Sequence, residues 1–419
     1  MDKNVIKMNK NNDMEKCVFT IVAKNYIGLA QILMNSVSQY NNDVETCIIV
    51  ADEYDKSKEN SVIVAKNFVE IESALWEEMS LKYDLTEFCT AIKPFCFEKL
   101  FESYSKVIYL DPDILLYDSL QQVWTWLEEK SIALTPHVAR AHVKYNGELP
   151  ENQLLGTGVF NLGFCAMRKD GVSKTIVEWW KERLKDQCFS DVYNYLYTDQ
   201  HWMDLIPAYF PNDLYVVTEL GYNVAPWNFF EREIVDKDGK YFVGERGISD
   251  SSLDKLIFVH YSGYGYKDLI DGKITQNNIR KDFSYSDVSI ILDTYREKLS
   301  DNQEVFLKYI SFSYTYNLYN DGYKISYFHR RLFNAIKKDR MISLIDFNRE
   351  LKKNKLLVKD FSVEKANVNN VSNLNTYIIK LNAILKFLFK LLGYKHYLMM
   401  IKAMRYYSRY ENHKFLIDD

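Results

Sequence analysis

An α/β fold with a mostly parallel mixed sheet and an α-helical C-terminal extension is predicted for this 419-residue chain. Three observations predict it. Short β-branched runs alternate with stretches of helical periodicity over the first ~100 residues. The run Lys106-Val-Ile-Tyr-Leu110 stops abruptly at two carboxylates, Asp111 and Asp113, separated by one proline. Beyond residue 280 the strand-like runs give way to apolar positions at helical spacing.

Taken in order, residues 1–15 are polar, without an apolar signal core, and read as a frayed leader. Cys17 to Ala23 is a first strand, followed by a turn at Lys24-Asn25-Tyr26. Leu29, Ile32, Leu33 and Val37 then share one face of a helix over Ile27 to Tyr40. Thr46 to Ala51 is a second strand, ending at Asp52. A helix, a short strand over Phe68 to Ile71 and another helix lead to Lys93-Pro94. Val107 to Leu110 reads as a buried strand, and the sheet continues through Ile132–Thr135, Val159–Met167 and Leu214–Val217 to end at Leu256–His260. Gly244-Glu-Arg-Gly247 reads as a hairpin turn. Asp301-Asn-Gln-Glu304 has the form of a capping box opening a helix, and helical spacing runs on through Ile345. Val368 to Asn375 is Asn-rich and linker-like, and Ile378 to Tyr407 reads as amphipathic helices interrupted near Gly393. The divisions so drawn are a leader 1–15, a sheet domain 16–280, a helical extension 281–367 and basic amphipathic helices 368–419.

A net charge of −4 gives no electrostatic case for nucleic acid. Its distribution says more. From Thr376 to Asp419 eight Lys/Arg face three Asp/Glu, a balance of +5 that leaves −9 on the rest. An acidic body with a basic, apolar tail suits contact with an anionic bilayer, or packing on the sheet domain or a second copy. The six cysteines are scattered, with no CxxC pair, as buried reduced thiols of a cytosolic protein would be. No stretch approaches 18 uninterrupted apolar residues, so no transmembrane helix is expected.

The chemistry starts at Asp111 and Asp113. Open α/β sheets bind ligands at the carboxyl ends of their strands. Two carboxylates there repel each other unless a cation neutralises them, and hard oxygen ligands suit Mg²⁺ or Mn²⁺, which also hold substrate phosphates. The first reading is therefore a metal-bridged diphosphate site. The bland alternative is helix capping, for which Asp118-Ser-Leu has the better form.

Further motifs follow in order: Ile21-Val-Ala-Lys-Asn-Tyr26, Lys93, Val159-Phe-Asn-Leu-Gly-Phe164, Thr198-Asp-Gln200 and His260-Tyr-Ser-Gly263. With Asp111-Pro-Asp113 this ordered set, spanning roughly residues 17 to 268, resembles the GT-A-fold glycosyltransferases. The match is best to the retaining transferases of family 8, the lipopolysaccharide galactosyltransferase type. The resemblance implies a catalytic domain over 16–280 in which Asp111, Asp113 and His260 hold Mn²⁺ or Mg²⁺ on the diphosphate of a nucleotide sugar. It places Ala23, Asn25 and Tyr26 at the nucleotide base and Lys93 near the phosphates, where the family has Arg. It sets Asn161 and Gly163 beneath the sugar, Gly263 in the HYxG motif, and Lys267 in place of the lysine of an absent Lys-Pro-Trp. Asp199 would bind sugar hydroxyls, and Gln200 would face the anomeric carbon. A glutamine is a poor nucleophile, which favours front-side attack on an oxocarbenium-like centre.

Other readings of these residues stay open on the sequence alone. Asp199 can cap the helix that follows it, and Asn161 can belong to a buried network. Lys93 can pair with a carboxylate such as Asp111. Trp227 in Gly221–Asn228 can stack on a pyranose or fill the core. His137, His142, His201, His329, His396 and His413 have no context comparable to that of His260.

The implied function is metal-dependent hexosyl transfer, with retention, from a nucleotide-diphosphate sugar such as a UDP-sugar to a glycan, glycolipid or protein acceptor. The partners implied are that donor, that acceptor, and an anionic membrane surface met through the C-terminal helices. A homo-oligomer is allowed, and the place is the cytoplasm, peripheral on the inner face of the membrane. The competing class is a non-catalytic nucleotide-sugar-binding or assembly protein on the same fold. A haloacid-dehalogenase phosphatase also carries DxD after a strand, but near its chain start and with Thr or Val soon after. Here the pair begins at residue 111, and Ile114-Leu-Leu follows.

Overall fold

The computed structural model describes residues 15–55, 61–248, 251–277, 285–319, 322–357 and 374–417. The expected leader and most of the Asn-rich linker lie outside them. The chain divides into two compact units, Met1–Glu72 with Leu85–Tyr314, and Ser73–Asp84 with Thr315–Asp419.

Among the described residues the first unit is built on fourteen strands: β1 Lys16–Val22, β2 Glu45–Val50, β3 Val62–Val64, β4 Lys106–Leu110, β5 Ile114–Leu116, β6 Ile132–Pro136, β7 Phe160–Arg168, β8 Ser190–Asp191, β9 Leu196–Tyr197, β10 Leu214–Val216, β11 Arg232–Lys237, β12 Lys240–Glu245, β13 Asp254–Lys255 and β14 Phe258–His260. Seven form the main sheet in the order β10-β6-β7-β4-β1-β2-β3. β4, β1, β2 and β3 are mutually parallel, as are β10 and β6, whereas β7 runs antiparallel to both β4 and β6. The α/β, mostly parallel fold class holds.

The reversal of β7 decides the site. A strand antiparallel to β4 begins where β4 ends, so Phe164 pairs with Leu110 and the Asp111 amide donates to the Gly163 carbonyl (2.8 Å). The chain then turns through Asp111–Asp113 into β5, which pairs antiparallel with β14 and sets His260 opposite Ile114. β4 is wholly buried, and the helix Ile27–Tyr40 covers the sheet with Ile27, Ala30, Leu33 and Val37 in the same core cluster as Ile108 and Leu110.

Some elements differ from expectation. The third strand is Val62–Val64, not Phe68–Ile71. Residues Ala65–Phe68 close a helical turn, and the β-branched Val62-Ile-Val pairs with β2. The strand ending at His260 lies outside the main sheet, because its hydrogen bonds go to β5. Asp301 ends the helix Val288–Asp301, and the next helix, Gln303–Ile310, has Asn302 at its N-cap without a side-chain bond, so no capping box forms there. Capping boxes close at Asp170 with Ser173 and at Ser326 with His329. Asp118 caps no helix, since its carboxylate accepts from the Ser119 amide and pairs with Lys255.

The second unit packs Leu81, Leu332, Phe333, Ile336, Phe347 and Leu351 into a small core. Buried Arg330 of the helix Tyr327–Asp339 ties it together by donating to the carbonyls of Ser80 (2.9 Å), Leu81 (2.7 Å) and Tyr83 (2.6 Å). The last helix, Leu374–Tyr407, breaks at Gly393 (φ 68°) as expected. Among the described residues no helix is long and apolar enough to cross a membrane. All six cysteines are free thiols, five of them buried.

Candidate metal and donor site

The ends of β4 and β14 bring Asp111, Asp113 and His260 together, with one ligand atom of each lying within 4.8 Å of the others. His260 Nε2 stands 3.1 Å from Asp113 Oδ1 and 3.7 Å from Asp111 Oδ2. The imidazole is almost wholly buried, while about a third of the Asp111 side chain (32%) stays open to solvent, so the cluster has one accessible side. Tyr109 Oη donates to Asp111 Oδ1 (2.6 Å) and Tyr266 Oη to Asp113 Oδ2 (3.1 Å), which turns the remaining carboxylate oxygens inward.

The electrostatics follow from this crowding. Burial raises the Asp111 carboxyl above its ordinary value, although His260 and Lys93 pull against it. At Asp113 burial also pushes upward, but the charge and hydrogen bond of His260 outweigh it and the net shift is downward. Burial pushes His260 down, and the two carboxylates more than reverse that, so its affinity for a proton is raised. The triad is thus short of positive charge, and a proton on His260 supplies part of it. A divalent cation supplies more.

The residues fit a small hard cation. Two carboxylates and one imidazole leave ligand positions for water and phosphate oxygens. The room is made by Gly163, where an added Cβ would stand 2.5 Å from His260 Cε1 and 2.9 Å from Asp111 Oδ2. Only a glycine admits that approach.

Beside the triad, Lys93 lies buried with its ammonium 2.7 Å from Asp199 Oδ2 and 3.0 Å from the Leu162 carbonyl, 4.2 Å from the centre of the Tyr109 ring. Its carboxylate partner is therefore Asp199. Burial lowers the Lys93 pKa, but Asp199 and then Asp111 outweigh it and hold the amine protonated. Asp199 occupies the N-cap of the helix Gln200–Met203 without a side-chain capping bond, because Lys93 takes its carboxylate.

Gln200, Asn161 and Asn223 form a buried amide network. Asn161 uses all four of its hydrogen-bonding positions within the protein, donating to His137 Nε2 (3.4 Å) and Gln200 Oε1 (3.3 Å) and accepting from Gly163 N and Asn223 Nδ2 (both 3.2 Å). Of its two readings, the buried network is the one present here. His137, which had no context in the sequence, belongs to this network too. Burial pushes it down to about 4, so it is neutral. Trp227 is buried, its ring edge-on to those of His137 (5.4 Å) and His260 (5.2 Å).

The first-strand motif arrives at the same place. Ala23 caps the short turn Lys24–Tyr26, Asn25 Oδ1 is buried without a hydrogen-bond partner, and Tyr26 packs edge-on against Tyr266 (6.2 Å). Lys24 pairs with buried Asp52 at 3.5 Å. Gly263 turns with φ 81° just after His260, whereas Lys267 is exposed on the helix Tyr266–Ile270. Tyr109, Tyr266, Asn223 and His137 were not found from sequence. Tyr109 alone carried a usable signal, because a residue two before Asp111 on one strand faces the same side.

Residues 17–209 match the family described as Glycosyl transferase family 8. Among curated proteins, the uncharacterized YfnF of Bacillus subtilis strain 168 is 26% identical over 297 residues, covering 68% of this chain and 92% of that protein. The uncharacterized YfnD of the same organism is 25% identical over 183 residues, covering 42% of this chain and 54% of that one. Among solved structures, the galactosyltransferase LgtC in complex with donor and acceptor sugar analogs aligns at 15% identity and a TM-score of 0.36, over 71% of this chain and 97% of that one. The glycosyltransferase GlyE of Streptococcus pneumoniae TIGR4 aligns at 15% identity and a TM-score of 0.39, over 71% of this chain and 63% of that one.

Proposed function

We propose that this chain, whose residues 17–209 match Glycosyl transferase family 8, is a glycosyltransferase that moves a hexose, with retention, from a UDP-sugar held by a divalent cation to a glycan, glycolipid or protein acceptor. One observation carries this reading: Asp111, Asp113 and His260 converge at the carboxyl edge of the sheet, around space that Gly163 keeps clear.

In this reading Asp111, Asp113 and His260 hold Mn²⁺ or Mg²⁺, which when bound would neutralise the leaving diphosphate. The chain's own residues do the rest. Asn25, with its unpartnered carbonyl, and Ala23 and Tyr26 beside it receive the nucleotide base. Asp199, kept ionised and oriented by Lys93, accepts from sugar hydroxyls. Gln200 has its Oε1 and one N–H fixed by the protein, which leaves its second N–H to the sugar. Asn161 and Gly163 form the floor under the ring, and Gly263 closes the far side. Lys267, exposed, can swing to the diphosphate.

The test is nucleotide-sugar hydrolysis and transfer over a donor panel with Mn²⁺ or Mg²⁺. One UDP-sugar should be turned over in a metal-dependent way, and Asp113→Ala should lower the rate by at least about a hundredfold while leaving the chain folded. No turnover of any nucleotide sugar would overturn the reading. Cellular function that survives Asp113→Ala would favour a binding or assembly role.

The acceptor side extends the proposal. The helix Leu374–Tyr407 exposes Ile379, Phe387, Leu391 and Met399 among Lys380, Lys386, Lys390, Lys395, Lys402 and Arg405, and no acidic residue occurs from Leu374 to Tyr410. Such a helix lies on an anionic bilayer, where it would bring the enzyme to a lipid-linked acceptor in polysaccharide assembly on the cytoplasmic face.

A further inference from the structure

The amides behind the triad hydrogen-bond in one direction only. Gln200 Nε2 donates to the Thr157 carbonyl (2.6 Å), an atom that can only accept. Gln200 Oε1 is thereby turned to accept from Leu162 N (3.4 Å) and Asn161 Nδ2 (3.3 Å). Asn161 Oδ1 in its turn accepts from Gly163 N and Asn223 Nδ2, both at 3.2 Å. Asn223 Nδ2 also donates to Thr135 Oγ1 (3.1 Å), so both of its N–H groups are committed and its Oδ1 faces His260 Nδ1 at 3.3 Å. A carboxamide oxygen only accepts. Nδ1 therefore keeps its hydrogen against Asn223, and once a cation takes up the two carboxylates the lone pair of neutral His260 lies on Nε2, the atom nearest both of them.

Reversing any one amide would set two donors or two acceptors face to face in a buried site. Backbone groups hold the polarity at three points, the Thr157 carbonyl and Leu162 N on Gln200 and Gly163 N on Asn161. Asn223 is fully buried with φ 54°, in the left-handed region that asparagine tolerates better than most residues. The loop carrying it is pinned to β14 by the His260 amide, which donates to the Val224 carbonyl (2.8 Å).

We propose that Asn223 is a positioning residue. Through a chain of amides running from Thr157 by way of Gln200 and Asn161, it fixes the tautomer that offers His260 Nε2 to a divalent cation. The acceptor facing Nδ1 stands on hydrogen-bond geometry alone, while the tautomer it selects and the consequence for metal rest on the metal-site reading above. The sugar pocket and the metal ligand are then one hydrogen-bonded unit, so a change at Gln200 is felt at His260.

The experiment uses the full chain with ¹⁵N-labelled histidine, loaded with Mg²⁺ and at alkaline pH, where long-range ¹H–¹⁵N correlation separates the two tautomers. The His260 signal is assigned by its loss in His260→Gln. Mn²⁺ affinity is read in parallel from the spectrum of free Mn²⁺. Asn223→Gly removes the amide but suits the backbone angle, and Asn223→Asp restores an acceptor facing Nδ1. Wild type should show Nδ1–H only. N223G should show mixed tautomers and Mn²⁺ affinity lower by roughly 10- to 100-fold, and N223D, which keeps the acceptor on Nδ1 but loses the donor to Asn161 Oδ1, should recover the Nδ1–H tautomer. A wild-type His260 protonated on Nε2 would overturn the proposal, as would N223G with unchanged tautomer and affinity. The wild-type and N223D spectra decide the matter even where N223G is unstable. Wild type that binds neither Mg²⁺ nor Mn²⁺ would overturn the metal reading and the proposal with it, whereas metal binding with an unchanged N223G would overturn the proposal alone.

Discussion

Gly163 and His260 approach so closely that any side chain at residue 163 must move the imidazole or Asp111. Gly163→Ala is accordingly expected to destabilise the first unit by about 1–3 kcal/mol, as overpacking does, and to abolish Mn²⁺ binding. Denaturant unfolding with a metal titration checks both. Lys93 and Asp199 form a buried pair, so Lys93→Met should lose about 3–5 kcal/mol by stranding a carboxylate, and adding Asp199→Asn should recover most of it. A double variant no more stable than the single one would contradict that pairing. His137 gives a pH signature. Its folded pKa, about 4, lies below the ordinary 6.5, so the unfolded chain takes up the proton first. The stability it contributes is complete above pH 6.5 and is lost as pH falls toward about 4, an effect of up to about 3 kcal/mol. Unfolding at pH 7.5 and 4.5 should show a smaller pH dependence in His137→Gln than in wild type, and equal slopes would contradict the assignment. Among single residues, Asp111, Asp113 and His260 were legible because residue type and strand-end position both announce them. Asn223 and Tyr266 were not, since an amide or a phenol acquires its role only from the neighbour that folding supplies.

Elements explain why that neighbour was hidden. β7 reads as one more apolar strand, and nothing in Phe160–Arg168 says that it runs against β4. Yet its direction brings Asn161 and Gly163 to the carboxyl edge where Asp111 lies. The same holds for β5 and β14, whose short antiparallel ladder delivers His260 to Asp113. Period-2 patterning reveals a strand and its faces, whereas register depends on long-range pairing. The sequence also suggested a change of domain near residue 280, but the first unit runs to Tyr314. The reason is a close helix crossing. A Cβ at Gly28 would stand 2.8 Å from Phe306 Cα, and Phe306 is buried with Leu29 and Ile32. Gly28→Leu should therefore push the helix Gln303–Ile310 off Ile27–Tyr40. The expected readout is faster amide exchange across 303–310 with the β1–β4 core still protected, and unchanged exchange there would contradict the crossing.

At the scale of the whole molecule, charge and proposed function run in parallel: the acidic body carries the Asp111–Asp113–His260 cluster and the basic tail is free of carboxylates from Leu374 to Tyr410. The full chain should sediment with vesicles containing phosphatidylglycerol and not with pure phosphatidylcholine vesicles. Replacing Lys386, Lys390 and Lys395 by Glu should abolish that binding without lowering donor hydrolysis, and equal binding to both vesicle types would contradict membrane contact through charge. The central claim is that Asp111, Asp113 and His260 hold one divalent cation on a nucleotide diphosphate, and its most direct test is Mn²⁺ titrated into the full chain with and without UDP, followed by the spectrum of the free ion. The account predicts one Mn²⁺ per chain, tighter in the presence of UDP and lost in Asp113→Asn. Mn²⁺ binding that ignores both UDP and Asp113→Asn would contradict it.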